Sequence, residues 1–190
     1  DAGISNRSIN RKISSLKTYY KFLLKIERIT ENPLAKHKSL KVSKKIQVPF
    51  SEKEVNKVIE LLSEAEGFEG LRNKLIVELF YATGMRRAEL VNLQLTNISF
   101  GHKTIKVLGK RNKERIIPLL PSTLQTLKQY LEVRNQLEII QDATYLLLSK
   151  KGVKIYETLV YRIINSYFSI ASEKVKKSPH ILRHSFATHL

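Results

Sequence analysis

The chain has no cysteine and no tryptophan, and methionine occurs once. Without cysteine there are no disulfides, no thiolate metal ligands and no thiol nucleophile. The five histidines are scattered without a metal-binding spacing. No apolar run approaches the roughly 18 residues of a membrane-spanning helix, and no apolar segment follows a basic N-terminus as in a secretory signal. These absences point to a protein of the cytoplasm, with no membrane partner and no metal. Acidic residues are also scarce, with 17 Asp and Glu against 34 Lys and Arg, a formal net charge of +17. Such an excess calls for a polyanionic partner, and nucleic acid fits best because each neutralised phosphate releases condensed counterions.

What is present is an ordered globular chain. At 190 residues and 42% apolar content it can bury one good-sized core, or a domain plus part of another. Between residues 8 and 26, Ile9, Ile13, Leu16, Tyr20, Leu23 and Leu24 recur at helical spacing, with Arg11, Lys12, Lys17, Lys21 and Lys25 on the other faces. A segment of about forty residues cannot bury that stripe alone, so helices preceding Asp1 are expected. Asn32 and Pro33 end this unit. The following run, KHKSLKVSKK over residues 36–45, has no steady period and reads as a basic interdomain linker. Residues 1–46 hold 12 basic and 3 acidic side chains, so +9 of the +17 lies in the first quarter. Arg11, Lys12, Lys36, Lys38, Lys44 and Lys45 are the candidate contacts to a nucleic-acid backbone.

A second unit opens at Ser51, where SEKE predicts a capping box between Ser51 and Glu54, followed by Val55, Val58, Ile59 and Leu62. Leu71, Leu75, Ile76, Leu79 and Phe80 form another helical face that Gly84 should end with a left-handed cap. Arg86 then falls at the start of the next helix. Residues 104–107 and 114–119 read as two strands around a polar turn, with Lys110 at the hairpin tip. Leu124, Leu127 and Leu131 mark a further helix, and Leu159, Val160, Ile163, Ile164, Tyr167 and Phe168 another. Leu182, Phe186 and Leu190 run in an i, i+4, i+8 stripe without a closing cap, so the helix is expected to continue past Leu190. The fold class is mainly α with a small β-sheet or hairpin.

The chemistry concentrates in three places. His180, Arg183 and His184 are spaced to share one helix face, where they can hold an anion. Arg86 follows a helix-ending glycine and supplies a second cationic fork. Lys110, at the hairpin tip, is read alone as a solvated hairpin lysine. Beside these stand plainer roles: Arg86 pairing with Glu89, His184 as a buried, backbone-satisfied histidine, His189 as a structural residue, and Tyr167, Phe168 and Phe186 as packing residues.

Taken in order and separation, ATGMRRAEL (82–90), GKRNKER (109–115) and HILRHSFATHL (180–190) resemble the tyrosine recombinase, or phage integrase, family, and most nearly its bacterial Xer branch. The resemblance extends to residues 6–34, which look like the last helical segment of that family's core-binding domain. It divides the chain into residues 1–35 of that domain, a linker over 36–46, and a catalytic domain over 47–190. It implies that Arg86 and Arg183 clamp the nonbridging oxygens of a DNA phosphate, that Lys110 protonates the leaving 5′-oxygen, and that His180 assists. It implies double-stranded DNA as substrate, a homo- or hetero-tetrameric synapse, no cofactor, and site-specific recombination through a 3′-phosphotyrosine, with chromosome-dimer resolution as the leading role. Phage, transposon or integron integrases share the same residues, and a non-catalytic DNA-binding protein explains the charge alone.

Family members carry a second His or Trp and then the nucleophilic tyrosine downstream of the His-x-x-Arg helix. The eight tyrosines here all precede Arg183, so none takes that position and none is assigned as nucleophile. The catalytic domain is accordingly expected to be truncated. Two positions depart from the Xer pattern: Arg111 stands where glycine is common, adding a possible phosphate contact, and Ala88 stands where serine is common.

Overall fold

The computed structural model describes residues 3–43, 48–64, 66–109, 113–174 and 177–189, and these fall into two compact units, Asp1–Ile46 and Gln47–Leu190. In the first, α1 (Asn6–Lys25) begins at Ser5, whose hydroxyl accepts from the amide of Ser8. None of its residues is buried; Leu16 of the predicted stripe, and Tyr19 and Phe22 beside it, remain about half exposed. The segment after it is held by side chains of α1. Asn10 pairs with the backbone of Leu40 on both sides, donating Nδ2–H to its carbonyl and accepting from its amide, each at 2.9 Å. Asn6 donates to the carbonyl of Lys41 at 3.0 Å and Lys17 to that of His37 at 2.8 Å. The start of the basic connector therefore runs back along α1 instead of leaving it.

The second unit contains six helices and a three-stranded antiparallel sheet among its described residues. The capping box forms at α2 (Glu52–Leu61): Ser51 Oγ accepts from the Glu54 amide and Glu54 Oε2 accepts from the Ser51 amide at 2.7 Å. Next come α3 (Gly67–Thr83) and the short α4 (Arg87–Val91). The sheet, in order β1-β2-β3, comprises β1 (Ile98–Ser99), β2 (Thr104–Leu108) and β3 (Glu114–Pro118). β1 is only two residues long and is not signalled by any periodicity in the sequence. In β2, Ile105 and Val107 face the core while Lys106 and Leu108 face outward, the period-2 alternation of a half-buried strand. α5 (Pro121–Asn135) starts with proline at its first position, where a missing amide hydrogen leaves no bond unmade. α6 (Glu157–Ala171) and α7 (Pro179–His189) complete the unit.

The core gathers the predicted faces: Val55, Val58, Leu75, Ile76, Leu79, Phe80, Leu90, Leu127, Ile164, Phe168 and Leu182 are fully or almost fully buried. Phe168 stacks on Phe50 with ring centroids 4.0 Å apart, so the segment entering the unit lies over α6. The irregular stretch after α5 is tied down by buried polar groups. Arg134 donates to the carbonyls of Ala143 and Tyr145, and the Tyr130 hydroxyl donates to the Leu146 carbonyl while accepting from the Leu148 amide. Those bonds satisfy backbone groups that a loop otherwise leaves orphaned in the interior.

Candidate active site

The site is built where the end of α3 meets α7. Gly84 caps α3 in the left-handed region, φ 55°, and its amide donates to the Phe80 carbonyl at 3.0 Å. Two constraints act on this glycine at once. A side chain would strain the backbone, and a Cβ would collide with the ring of Phe186 on α7. The same bare backbone that ends α3 thus lets α7 come against it. Met85, fully buried, then pins the turn inward, and Arg86, next in an extended conformation, projects outward with its side chain half exposed.

On α7, Ile181, Leu182 and Ser185 are buried, which directs His180, Arg183 and His184 to the opposite face. Ser185 anchors the helix: its hydroxyl donates to the Ile181 carbonyl and accepts the amide of Phe50 at 2.8 Å. His180 and His184 meet edge to face, centroids 5.4 Å apart. His184 is exposed, which corrects the plainer reading of it as a buried histidine. At the far end of α7, His189 Nδ1 lies 3.1 Å from the hydroxyl of Tyr81, the structural role expected of it.

Between these elements lies an open cavity of about 740 Å³ lined by Arg86, Arg87, Tyr161, His180, Arg183 and His184, among others. Three of the four predicted catalytic residues, Arg86, His180 and Arg183, therefore share one cavity. Lys110, the fourth, lies outside the described residues, as do Arg111, Lys44 and Lys45. The stem of its hairpin is described: the Gly109 amide donates to the Lys113 carbonyl at 2.8 Å. Arg11, Lys12, Lys36 and Lys38 are exposed on the first unit.

The residue that organises the cations is Glu89. Its side chain is 5% exposed and its carboxylate accepts from the Arg86 amide at 2.6 Å, from Arg86 Nη1 at 2.8 Å, and from Arg115 Nη2 and Nη1 at 2.7 and 3.1 Å. Burial pushes this carboxyl up, but the hydrogen bonds from Arg115 and from the amide and guanidinium of Arg86 outweigh it and hold the pKa at about 2. Arg183 is shifted below its ordinary value by burial first, then by Arg86 and Arg115, with Glu89 opposing. Like charges so placed are relieved by an anion bound among them. Sequence reasoning paired Glu89 with Arg86 and left Arg115 unassigned. The signal for Arg115 was its place on the strand leaving the hairpin, but a partner 26 positions away cannot be read from local spacing. Tyr161 and Arg87 were also missed; Arg87 pairs with Glu157 of α6 at 2.5 Å.

Residues 50–190 match the phage integrase family. The chain is 37% identical over 195 residues to the tyrosine recombinase XerC of Pediococcus pentosaceus, covering all of this chain and 64% of that protein. It is 34% identical over 210 residues to the tyrosine recombinase XerC of Chlorobaculum parvum, again covering all of this chain and 62% of that protein. Among solved structures it is similar to the XerH site-specific recombinase bound to its palindromic difH substrate, at 23% identity with a TM-score of 0.81, over 98% of this chain and 56% of that one. The chain thus spans somewhat under two thirds of the length of these relatives.

Proposed function

The chain belongs to the phage integrase family, and on that premise we propose that the cavity between α4 and α7 grips the scissile phosphate of double-stranded DNA in a site-specific recombinase. The observation that carries this reading is the convergence of Arg86, Arg183 and His180 on one open cavity. Attack of a tyrosine oxygen on phosphorus passes through a pentacoordinate species with added negative charge on its nonbridging oxygens. Cations fixed in advance stabilise that species more than the ground state. Arg86 and Arg183 supply the two forks, each able to donate two parallel hydrogen bonds. As the tyrosine O–P bond forms and the P–O5′ bond breaks, the leaving oxygen takes a proton from Lys110. His180 assists proton transfer at the phosphate. The phosphotyrosyl ester conserves the energy of the broken bond for rejoining to a second strand.

None of the eight tyrosines present is assigned as the nucleophile. Tyr130 is buried and bonded to the backbone, Tyr81 is paired with His189, and no tyrosine follows Arg183 in the motif order. These 190 residues by themselves then bind DNA without forming the covalent adduct. The names of the similar proteins favour an Xer-type role. We further propose a tetrameric synapse on nucleoid DNA in the cytoplasm, with residues 1–35 as the end of a core-binding domain and the basic run after it following the DNA backbone.

The test is Arg183→Ala in the full-length protein. Strand cleavage of a nicked DNA carrying the recombination site should fall at least about a hundredfold, the loss typical of removing one preorganised donor, while the melting temperature holds. Cleavage at the wild-type rate would leave only a basic DNA-binding protein.

A further inference from the structure

Arg115 lies on β3, apart from the phosphate-gripping set, yet it makes the more complete contact with the buried carboxylate of Glu89. Its two terminal nitrogens meet the two oxygens of Glu89 in a fork, Nη2 to Oε2 at 2.7 Å and Nη1 to Oε1 at 3.1 Å. Arg86 meets the same carboxylate with its amide and with one guanidinium nitrogen only, Nη1 to Oε1 at 2.8 Å. A carboxylate offers about four acceptor positions, and four donors fill them here.

We infer that Arg115 is a positioning residue for the phosphate site: by forking onto Glu89 it confines Arg86 to a single-nitrogen contact and leaves the rest of that guanidinium facing the cavity. The inference rests on the reading of the cavity as a phosphate site. Its physical basis is competition. Planar guanidinium and carboxylate groups prefer two parallel hydrogen bonds. With Arg115 removed, the released acceptor positions belong to the nearest remaining donor, and the Arg86 side chain, now half exposed, folds down onto Glu89. Arg115 also ties the hairpin stem to the arginine turn. The position a Cβ would take on Gly109 is 3.4 Å from Arg115 Nη1 and 3.5 Å from Glu89 Oε1, so the stem backbone lies directly on this pair. Arg183, the other guanidinium within the field of Glu89, makes no hydrogen bond to it and serves as the internal control.

The experiment titrates inorganic phosphate, at constant ionic strength, into the 190-residue protein with its arginine side chains observed by nitrogen-resolved NMR. Three proteins are compared: wild type, Arg115→Ala and Arg115→Lys. Lysine keeps the charge but cannot form the fork. In the wild type the Nε–H resonances of both Arg86 and Arg183 should respond. In both variants the Arg86 response should weaken by roughly tenfold or more in apparent affinity while Arg183 still responds, with a melting temperature near wild type in at least Arg115→Lys. Equal Arg86 responses in all three proteins would overturn the positioning role and leave the phosphate site standing. No response of either arginine in the wild type would instead sink the phosphate-site reading itself. Joint loss at Arg86 and Arg183 in Arg115→Lys would make Arg115 a general structural support, and the inference would fail.

Discussion

The two units of this chain solve the problem of holding a shape by opposite means. Residues 47–190 rest on a core of fully buried side chains, and their buried polar groups tie loops and helices to that core. Residues 1–46 bury nothing in α1, carry +9 of the +17 charge, and hold their trailing segment through Asn6, Asn10 and Lys17. Charge and packing are thus segregated. The densely basic part has little core to lose, and the packed part holds a few of its cations at fixed points. In physical terms the first unit suits sequence-independent attraction to phosphates, which depends on the number of charges, and the second suits recognition of one phosphate, which depends on geometry.

The contrast can be broken from either side. The largest change is expected from replacing Arg11, Lys12, Lys36 and Lys38 together by alanine. If each neutralises a phosphate, the slope of log affinity against log salt should flatten by about 3 to 4, with little change in melting. An unchanged slope in a salt titration by fluorescence anisotropy would remove these residues from the DNA contact. Next is Gly84→Val, which adds left-handed strain to a clash with Phe186; about 3 kcal/mol of stability should be lost from residues 47–190 in denaturant unfolding. Hydrogen exchange in α1 should not change, so loss of protection there would show that the two units do not unfold separately. The smallest effect concerns acid. Glu54 is also held at about 2, since hydrogen bonds from Lys174, Ser172 and Ser51 override a burial that pushes it up. Carboxyls depressed on folding lend stability that is complete above the ordinary value of 4.5 and drains away as pH falls towards about 2. Glu54→Gln and Glu89→Gln should each flatten the loss of stability between those limits, by on the order of 2 kcal/mol.

Most of this arrangement could be read before any coordinates. The Ser51 box, the Gly84 cap, the hairpin strands and the helices around Leu127, Ile164 and Leu182 follow from local rules, since capping and periodicity act within four residues. The arginine cavity followed from motif order. What stayed hidden depends on contacts between distant segments. The fork from Arg115 to Glu89, the fit of Phe186 over Gly84 and the hydroxyl of Ser185 under the Phe50 amide leave no periodic trace. The path of the basic connector stayed hidden for a related reason. A run of lysines says nothing of the asparagines on the preceding helix that can hold its backbone.

The bond between Phe50 and Ser185 joins residues 135 positions apart, the segment before α2 and the last described helix. Contacts of such long separation form late, because the loop they close must be ordered first. As the chain emerges from the ribosome, the aromatic ring of Phe50 waits for α6, and its amide waits for α7. Until the helix bearing Arg183 docks, the Phe50 amide has no hydroxyl to bind, and Arg183 and His180 cannot join Arg86 at one cavity.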